Sequence, residues 1–167
     1  IDAVSDGIDA RSLADEALSN GAVARGIDVS NFQGTIDWNQ VKAAGVEFAI
    51  LKVGPVYGKP DSTFERNATE CERRGIPYGV YYYSYARSVA DANKEADRTL
   101  VWLGGHHPSL PVYYDLEDNY ILHDPNFSKD KLAQIAQTFC NRMEAVGFKS
   151  GIYANLKWFN NYLNSPS

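Results

Sequence analysis

The segment PVYYDLED, residues 111–118, ends a run of strand-forming residues in three carboxylates, Asp115, Glu117 and Asp118. Val112, Tyr113 and Tyr114 favour a strand, whereas Asp and Glu are depleted in strands and are seldom buried without partners. Side chains alternate along a strand, so Asp115 and Glu117 share a face with Tyr113, and Val112, Tyr114 and Leu116 share the other. At about 3.3 Å per residue, the two acids have Cα atoms roughly 6 to 7 Å apart. Two carboxyls pointing one way suit acid and base chemistry on an acetal: one protonates the leaving oxygen, the other stabilises or attacks an oxocarbenium-like centre. Glu117 is the better proton donor, because Asp115 and Asp28 are like charges nearby that disfavour its ionised form. The triplet alone is weak evidence, since an Asp-x-Glu arises by chance about once in every one or two chains of this length. A solvated strand end or a helix cap is the competing reading.

What has to position these acids is an alternation of strands and helices. GIDVS reads as a strand, and IDWNQVKAAG as a helix with Ile36, Val41 and Ala44 on one stripe, ended by Gly45. VEFAILKVG is a strand covered on both sides, TFERNATECERR a helix capped by Asp61 or Ser62 and ended by Gly75, and IPYGVYYYSY a third strand. Helices capped by Ser88 and Ser128 flank the fourth strand, PVYYDLE; SGIYAN is the fifth, and LKWFNNYL opens another helix. Repeated strand and helix means parallel strands with right-handed crossovers. No GxGxxG follows the first strand, which argues against a dinucleotide-binding sheet. A barrel gathers functional residues at the C-terminal strand ends, and those ends carry Asp28, Lys52, the Tyr81–Tyr85 cluster, Asp115 with Glu117, and Tyr153 with Asn155. The expected class is therefore α/β, a TIM-like β/α barrel. Five strands can be counted where closure needs eight, so the barrel is expected to lack its last strands in this chain. Residues 1–24, small, polar and acidic, read as a linker or leader, and 25–167 as the catalytic domain, C-terminally incomplete.

Length and composition fit one globular domain. A net charge of -5 argues against nucleic acid or an anionic membrane as partner, and no apolar run approaches a membrane span. The opening IDAVSDGIDARSLADEALSN shows no signal peptide. Eleven Tyr and three Trp suit sugar faces, although any single Tyr is more often core. Cys71 and Cys140 are expected as free thiols, because a barrel would put a helix between theirs. His106, His107 and His123 read as solvated loop residues in no zinc-binding pattern, so neither metal nor cofactor is expected.

Four segments in order, ARGIDVSNFQGTIDWNQVKAAGVEFAILKVG, GIPYGVYYYSYA, PVYYDLED and GFKSGIYANLKWF, resemble the family 25 glycoside hydrolases, lysozymes also called Chalaropsis-type muramidases. The resemblance runs from about Arg25 to the C-terminus and implies an irregular barrel. It also implies bacterial peptidoglycan as substrate, cut at the β-1,4 bond between N-acetylmuramic acid and N-acetylglucosamine. By that resemblance Glu117 is the catalytic acid, Asp115 its partner and Asp28 the strand-one aspartate; Tyr83, Tyr153, Lys52 and Asn155 are candidates for holding glycan. Tyr114 ranks below Tyr83, since parity puts it on the face opposite the acids. A substrate-assisted route with net retention is favoured. The expected setting is extracellular or at the cell wall, secreted or phage-delivered, with the chain acting as a monomer on glycan strands. The alternatives are a non-catalytic wall-binding module, a chitinase-type barrel, whose usual motif DxxDxDxE is longer than what PVYYDLED supplies, and a purely structural interaction protein, which leaves the acids at strand ends unexplained.

Overall fold

A computed structural model describes Gly21 and residues 23–165; most of the expected leader lies outside the described residues. The alternation is realised as β1 (Gly26–Val29), α1 (Trp38–Ala43), β2 (Phe48–Gly54), α2 (Phe64–Arg74), β3 (Tyr78–Tyr83), α3 (Val89–Trp102), β4 (Val112–Asp115), α4 (Lys129–Glu144), β5 (Ser150–Tyr153) and α5 (Leu156–Asn161). The strands form one sheet in the order β1-β2-β3-β4-β5, every neighbour parallel. A sheet in strict chain order with helical crossovers is the pattern of a TIM-like barrel, here a five-stranded part of one.

Strand parity sorts the side chains into two layers. Ala49, Leu51 and Val53 of β2, Val80 and Tyr82 of β3, and Val112 and Tyr114 of β4 are buried with Phe64, Ala68 and Cys71 of α2, Ala92 and Ala96 of α3, and Leu132, Ile135, Phe139 and Met143 of α4. This helix-covered face is the core. Tyr114 belongs to it: its ring stacks on Phe139 at 4.0 Å and 5°. The opposite face, concave in a barrel, carries the polar residues.

Local chemistry explains most boundaries. Ser88 and Ser128 cap α3 and α4 by accepting from the amides of Asp91 and Lys131. Gly75 ends α2 at φ 63°, a left-handed conformation that a side chain would disfavour. The expected cap of α2 is corrected. Thr63 is its N-cap and makes no capping bond through its side chain, while buried Asp61 accepts from the Thr63 amide and hydroxyl and, across to the β1 loop, from the Asn31 amide at 2.8 Å. Two 3-10 turns, Asn31–Gln33 and Asn119–His123, have no hydrophobic period and were not anticipated. Cys71 and Cys140 are free thiols. No described helix is long and apolar enough to cross a membrane.

His106 is not a solvated loop residue. Its side chain is 11% exposed and sits between Glu72, at 2.9 Å from Nδ1, and Glu65, at 3.2 Å from Nε2, tying the loop before β4 to α2. Burial alone would lower its pKa, but the hydrogen bonds and charges of Glu72 and Glu65 outweigh that and raise it. A raised folded pKa gives stability that is full below the unfolded value, about 6.5, and lost as pH rises through the folded one. His106→Gln is expected to remove about 1 kcal/mol at pH 5.5 and much less at pH 8.5, read from urea midpoints.

Candidate active site

The register of the sheet builds the site in rows. Tyr83 of β3, Asp115 of β4 and Tyr153 of β5 are cross-strand neighbours. One row below run Lys52, Tyr81, Tyr113 and Gly151. Asp28 stands on β1, opposite Ile50. β4 ends at Asp115, so Glu117 lies just beyond the strand, half-buried, while Leu116 turns back into the core. The period-2 pattern therefore outlasts the hydrogen-bonded strand and brings both acids to one side.

These rows floor a cleft of about 1010 Å³. Asp28, Lys52, Tyr83, Asp115, Glu117, Tyr153 and Asn155 all line it, so every site residue expected from the sequence converges there. Tyr81, Ser30, Phe32, Gln33, Ala154 and Leu156 complete the lining. A smaller cavity, about 600 Å³ between α4 and α5, shares none of these residues. Among the described residues no group of three or more His, Cys, Asp and Glu could hold a metal ion.

Aromatic rings enclose the charges. Tyr81 and Tyr153 stack at 5.7 Å and 15°, and the hydroxyls of both act on the Asp28 carboxyl, pulling its pKa down. The Lys52 ammonium stands 5.4 Å from the Tyr83 ring centre, 5.8 Å from Tyr81 and 6.0 Å from Phe32. Burial pushes the hydroxyl pKa values of Tyr81, Tyr83 and Tyr153 far up, so all three remain protonated and able to donate.

The largest electrostatic effect on the acids falls on Asp115. It is 4% exposed, and its Oδ1 has no hydrogen-bond partner among the described residues. Desolvation, then the charge of Glu117, push its pKa up to about 8, against the pull of Lys52 and with a further push from Asp28. Asp115 carries this push because β4 buries it, while Glu117 is half-buried at the mouth. Asp28 is also raised: its side chain is exposed at an edge strand, yet the carboxyl is desolvated enough to outweigh the pulls of the Tyr153 hydroxyl, the Lys52 charge and the Tyr81 hydroxyl.

Two side chains have duties outside the cleft. Asn155 Oδ1 caps α5 through the Trp158 amide, which leaves its Nδ2 for the cleft. Asp118 caps the turn at Asn119 by accepting from the Tyr120 amide. A third residue, Glu95 of α3, escaped the sequence reading because it looks like any polar residue of a helix. It is buried and accepts from the Ser84 hydroxyl at 2.8 Å, the Tyr85 amide at 2.9 Å and the Tyr114 hydroxyl. One carboxyl thereby fixes the ends of β3 and β4 from behind, next to Tyr83 and Asp115.

Comparison with known proteins agrees with this geometry. The chain is 34% identical over 98 residues to Lysozyme M1 of Streptomyces globisporus, covering 57% of this chain and 33% of that protein. It is 25% identical over 141 residues to the autolytic lysozyme of Clostridium acetobutylicum, covering 84% of this chain and 41% of that one. The chain therefore spans a third to two fifths of the length of these relatives. Among solved structures, the modular autolysin LytC of Streptococcus pneumoniae superposes with a TM-score of 0.76 at 29% identity, over 86% of this chain and 35% of that one. A family 25 glycosyl hydrolase of Bacillus anthracis shares the fold, with a TM-score of 0.73 at 20% identity over 87% of this chain and 66% of that one. The family model described as Glycosyl hydrolases family 25 matches residues 27–167, from the strand that carries Asp28 through the acids of β4 to Asn155 and beyond, and the chain belongs to that family.

Proposed function

We propose that this chain is a peptidoglycan hydrolase, an N-acetylmuramidase that cuts the β-1,4 bond between N-acetylmuramic acid and N-acetylglucosamine. The observation that carries the reading is the meeting of Asp115, buried with its Oδ1 unpartnered among the described residues, and Glu117 in one aromatic-lined cleft, where burial pushes the Asp115 pKa up to about 8. Two interacting carboxyls titrate as a pair, so at neutral pH the pair holds a proton to deliver. Passed to Glu117, which faces the mouth, it is donated to the glycosidic oxygen as the C1–O bond breaks. Asp115, now ionised, accepts from the acetamido N–H of the substrate and orients the acetamido oxygen, which bonds to C1. Lys52 and Asp28, with the Tyr81 and Tyr153 hydroxyls, hold the charge balance below. Water then opens the cyclic intermediate at C1 while Glu117 takes its proton back, and the product keeps its anomeric configuration.

The substrate places the action outside the cytoplasm, at the bacterial wall, with the protein secreted or phage-delivered and working as a monomer. LytC has been solved in complex with a synthetic peptidoglycan ligand, which supports the same class of substrate here. The test is to digest purified peptidoglycan, reduce the products with borohydride and identify the new termini. Muramitol-type ends are expected. Glucosaminitol-type ends would make the enzyme a glucosaminidase, and wall retention without new ends would make the chain a binding module.

A further inference from the structure

Phe32 is an apolar side chain with 83% of its surface in solvent, yet it does not sit on a loose loop. It lies in the 3-10 turn Asn31–Gln33, and the turn is held at three points. Buried Ser30 accepts the Phe32 amide through Oγ at 3.3 Å, Gln33 Oε1 accepts the Ser30 amide at 2.8 Å, and buried Asp61 accepts the Asn31 amide at 2.8 Å. A reciprocal capping box tied to a buried carboxylate fixes the backbone under the ring. Tyr57, wholly exposed, offers the contrast: it is not among the residues lining the cleft, whereas Phe32 lines it and has the Lys52 ammonium 6.0 Å from its ring centre.

An exposed ring costs solvation free energy and is most useful where something covers it. The occupant that matches is a sugar: pyranose C–H groups pack on an aromatic face, while hydroxyl and acetamido groups need polar partners beside it. Those partners are present. Gln33 also lines the cleft, and with Oε1 used by the cap its Nε2 is the group left to donate to a glycan oxygen. Phe32 stands on the loop after β1, and Lys52, whose ammonium is 6.0 Å from its ring centre and 5.4 Å from that of Tyr83, lies between it and the Tyr83–Asp115 row, so the ring borders the cleft beside the acids rather than among them. We infer that Phe32, with Gln33, forms a subsite that stacks an N-acetylhexosamine unit of the glycan strand at the β1 end of the cleft. This rests on the glycosidase reading and adds to it a position the acids do not define.

The subsite is tested by binding, so that hydrolysis does not intervene. In the Glu117→Gln background, the dissociation constant for the β-1,4-linked N-acetylglucosamine tetramer is measured for Phe32, Phe32→Ala, Phe32→Leu and Phe32→Trp, with thermal melts of each. Because the ring is exposed, melting is expected to stay within about one degree for all four. Phe32→Ala and Phe32→Leu are expected to weaken binding about tenfold, and Phe32→Trp to equal or tighten it, since only a flat aromatic face stacks on sugar. Equal affinity for Ala and Phe, or Leu as good as Trp, would overturn the subsite, as would no tetramer binding by the Glu117→Gln chain. The glycosidase reading fails separately, by the absence of new reducing ends from the unaltered chain.

Discussion

Glu117→Gln is expected to lower kcat on peptidoglycan by about 10³-fold while leaving KM within a few-fold, the size of effect that general acid catalysis carries. The amide keeps the shape and volume of the carboxyl but has no proton acidic enough to pass to a departing sugar oxygen. Glu117 is half-buried at the mouth and anchors no described hydrogen bond, so the exchange should leave the fold intact, as circular dichroism and melting would verify. The loss should depend on the leaving group. An aryl glycoside with an acidic phenol departs without assistance, so the variant should recover most of its first-step rate on it and lose little relative to the parent. Residual wall hydrolysis within about tenfold of the parent, or an equal loss on both substrates, would place the proton donor elsewhere.

The period of the sequence reached the site more fully than it reached the loops. Alternation in PVYYDLED separates Tyr114 from Asp115 correctly, because the rule depends only on backbone geometry that holds for any strand. The C-terminal strand ends were legible for the same reason: the seven candidates Asp28, Lys52, Tyr83, Asp115, Glu117, Tyr153 and Asn155 line one cleft, whereas Tyr82 of the Tyr81–Tyr85 cluster turns into the core. Helix caps at Ser88 and Ser128 were legible since their partners are three residues away. What stayed hidden depends on contacts distant in sequence. Asp61 looks like a cap for α2 and instead reaches thirty residues back to Asn31. His106 looks like a loop residue until Glu65 and Glu72 arrive from α2. Glu95 gains its meaning only when Ser84, Tyr85 and Tyr114 are folded onto it. The placement of the proton was hidden too: like charge is visible in the spacing of Asp115 and Glu117, but desolvation, the larger cause, follows from how deeply β4 is covered.

That desolvation makes Asp115→Asn the sharpest test of the electrostatics, because stability and activity should move in opposite directions. Asp115 has a folded pKa of about 8 against 3.8 for the free side chain, so between those values the folded state binds more proton than the unfolded one. Stability from this group is therefore lost as pH rises from about 4 to about 8 and is constant beyond. With one pKa unit near 1.4 kcal/mol, the penalty at pH 7 is of the order of 4 kcal/mol. Asn cannot ionise and escapes it, though its amide nitrogen meets a site where Oδ1 has no described partner, which takes back about 1 to 3 kcal/mol. The variant should thus be about 1 to 3 kcal/mol more stable than the parent at pH 7, with that advantage gone near pH 4, as urea midpoints at pH 4.5, 7 and 8.5 would measure. Its kcat should fall about 10²-fold or more, because the pair has lost both the stored proton and the acceptor for the acetamido group. In the parent, kcat/KM should decline above about pH 8 as the pair gives up its last proton, and in the variant that limb should move. Equal midpoints at all three pH values would show that Asp115 is ionised without penalty, and the stored proton would then have no place in the mechanism. A variant both more stable and inactive would show the cleft keeping a costly carboxyl for its chemistry, the trade that buried catalytic acids make between folding and function.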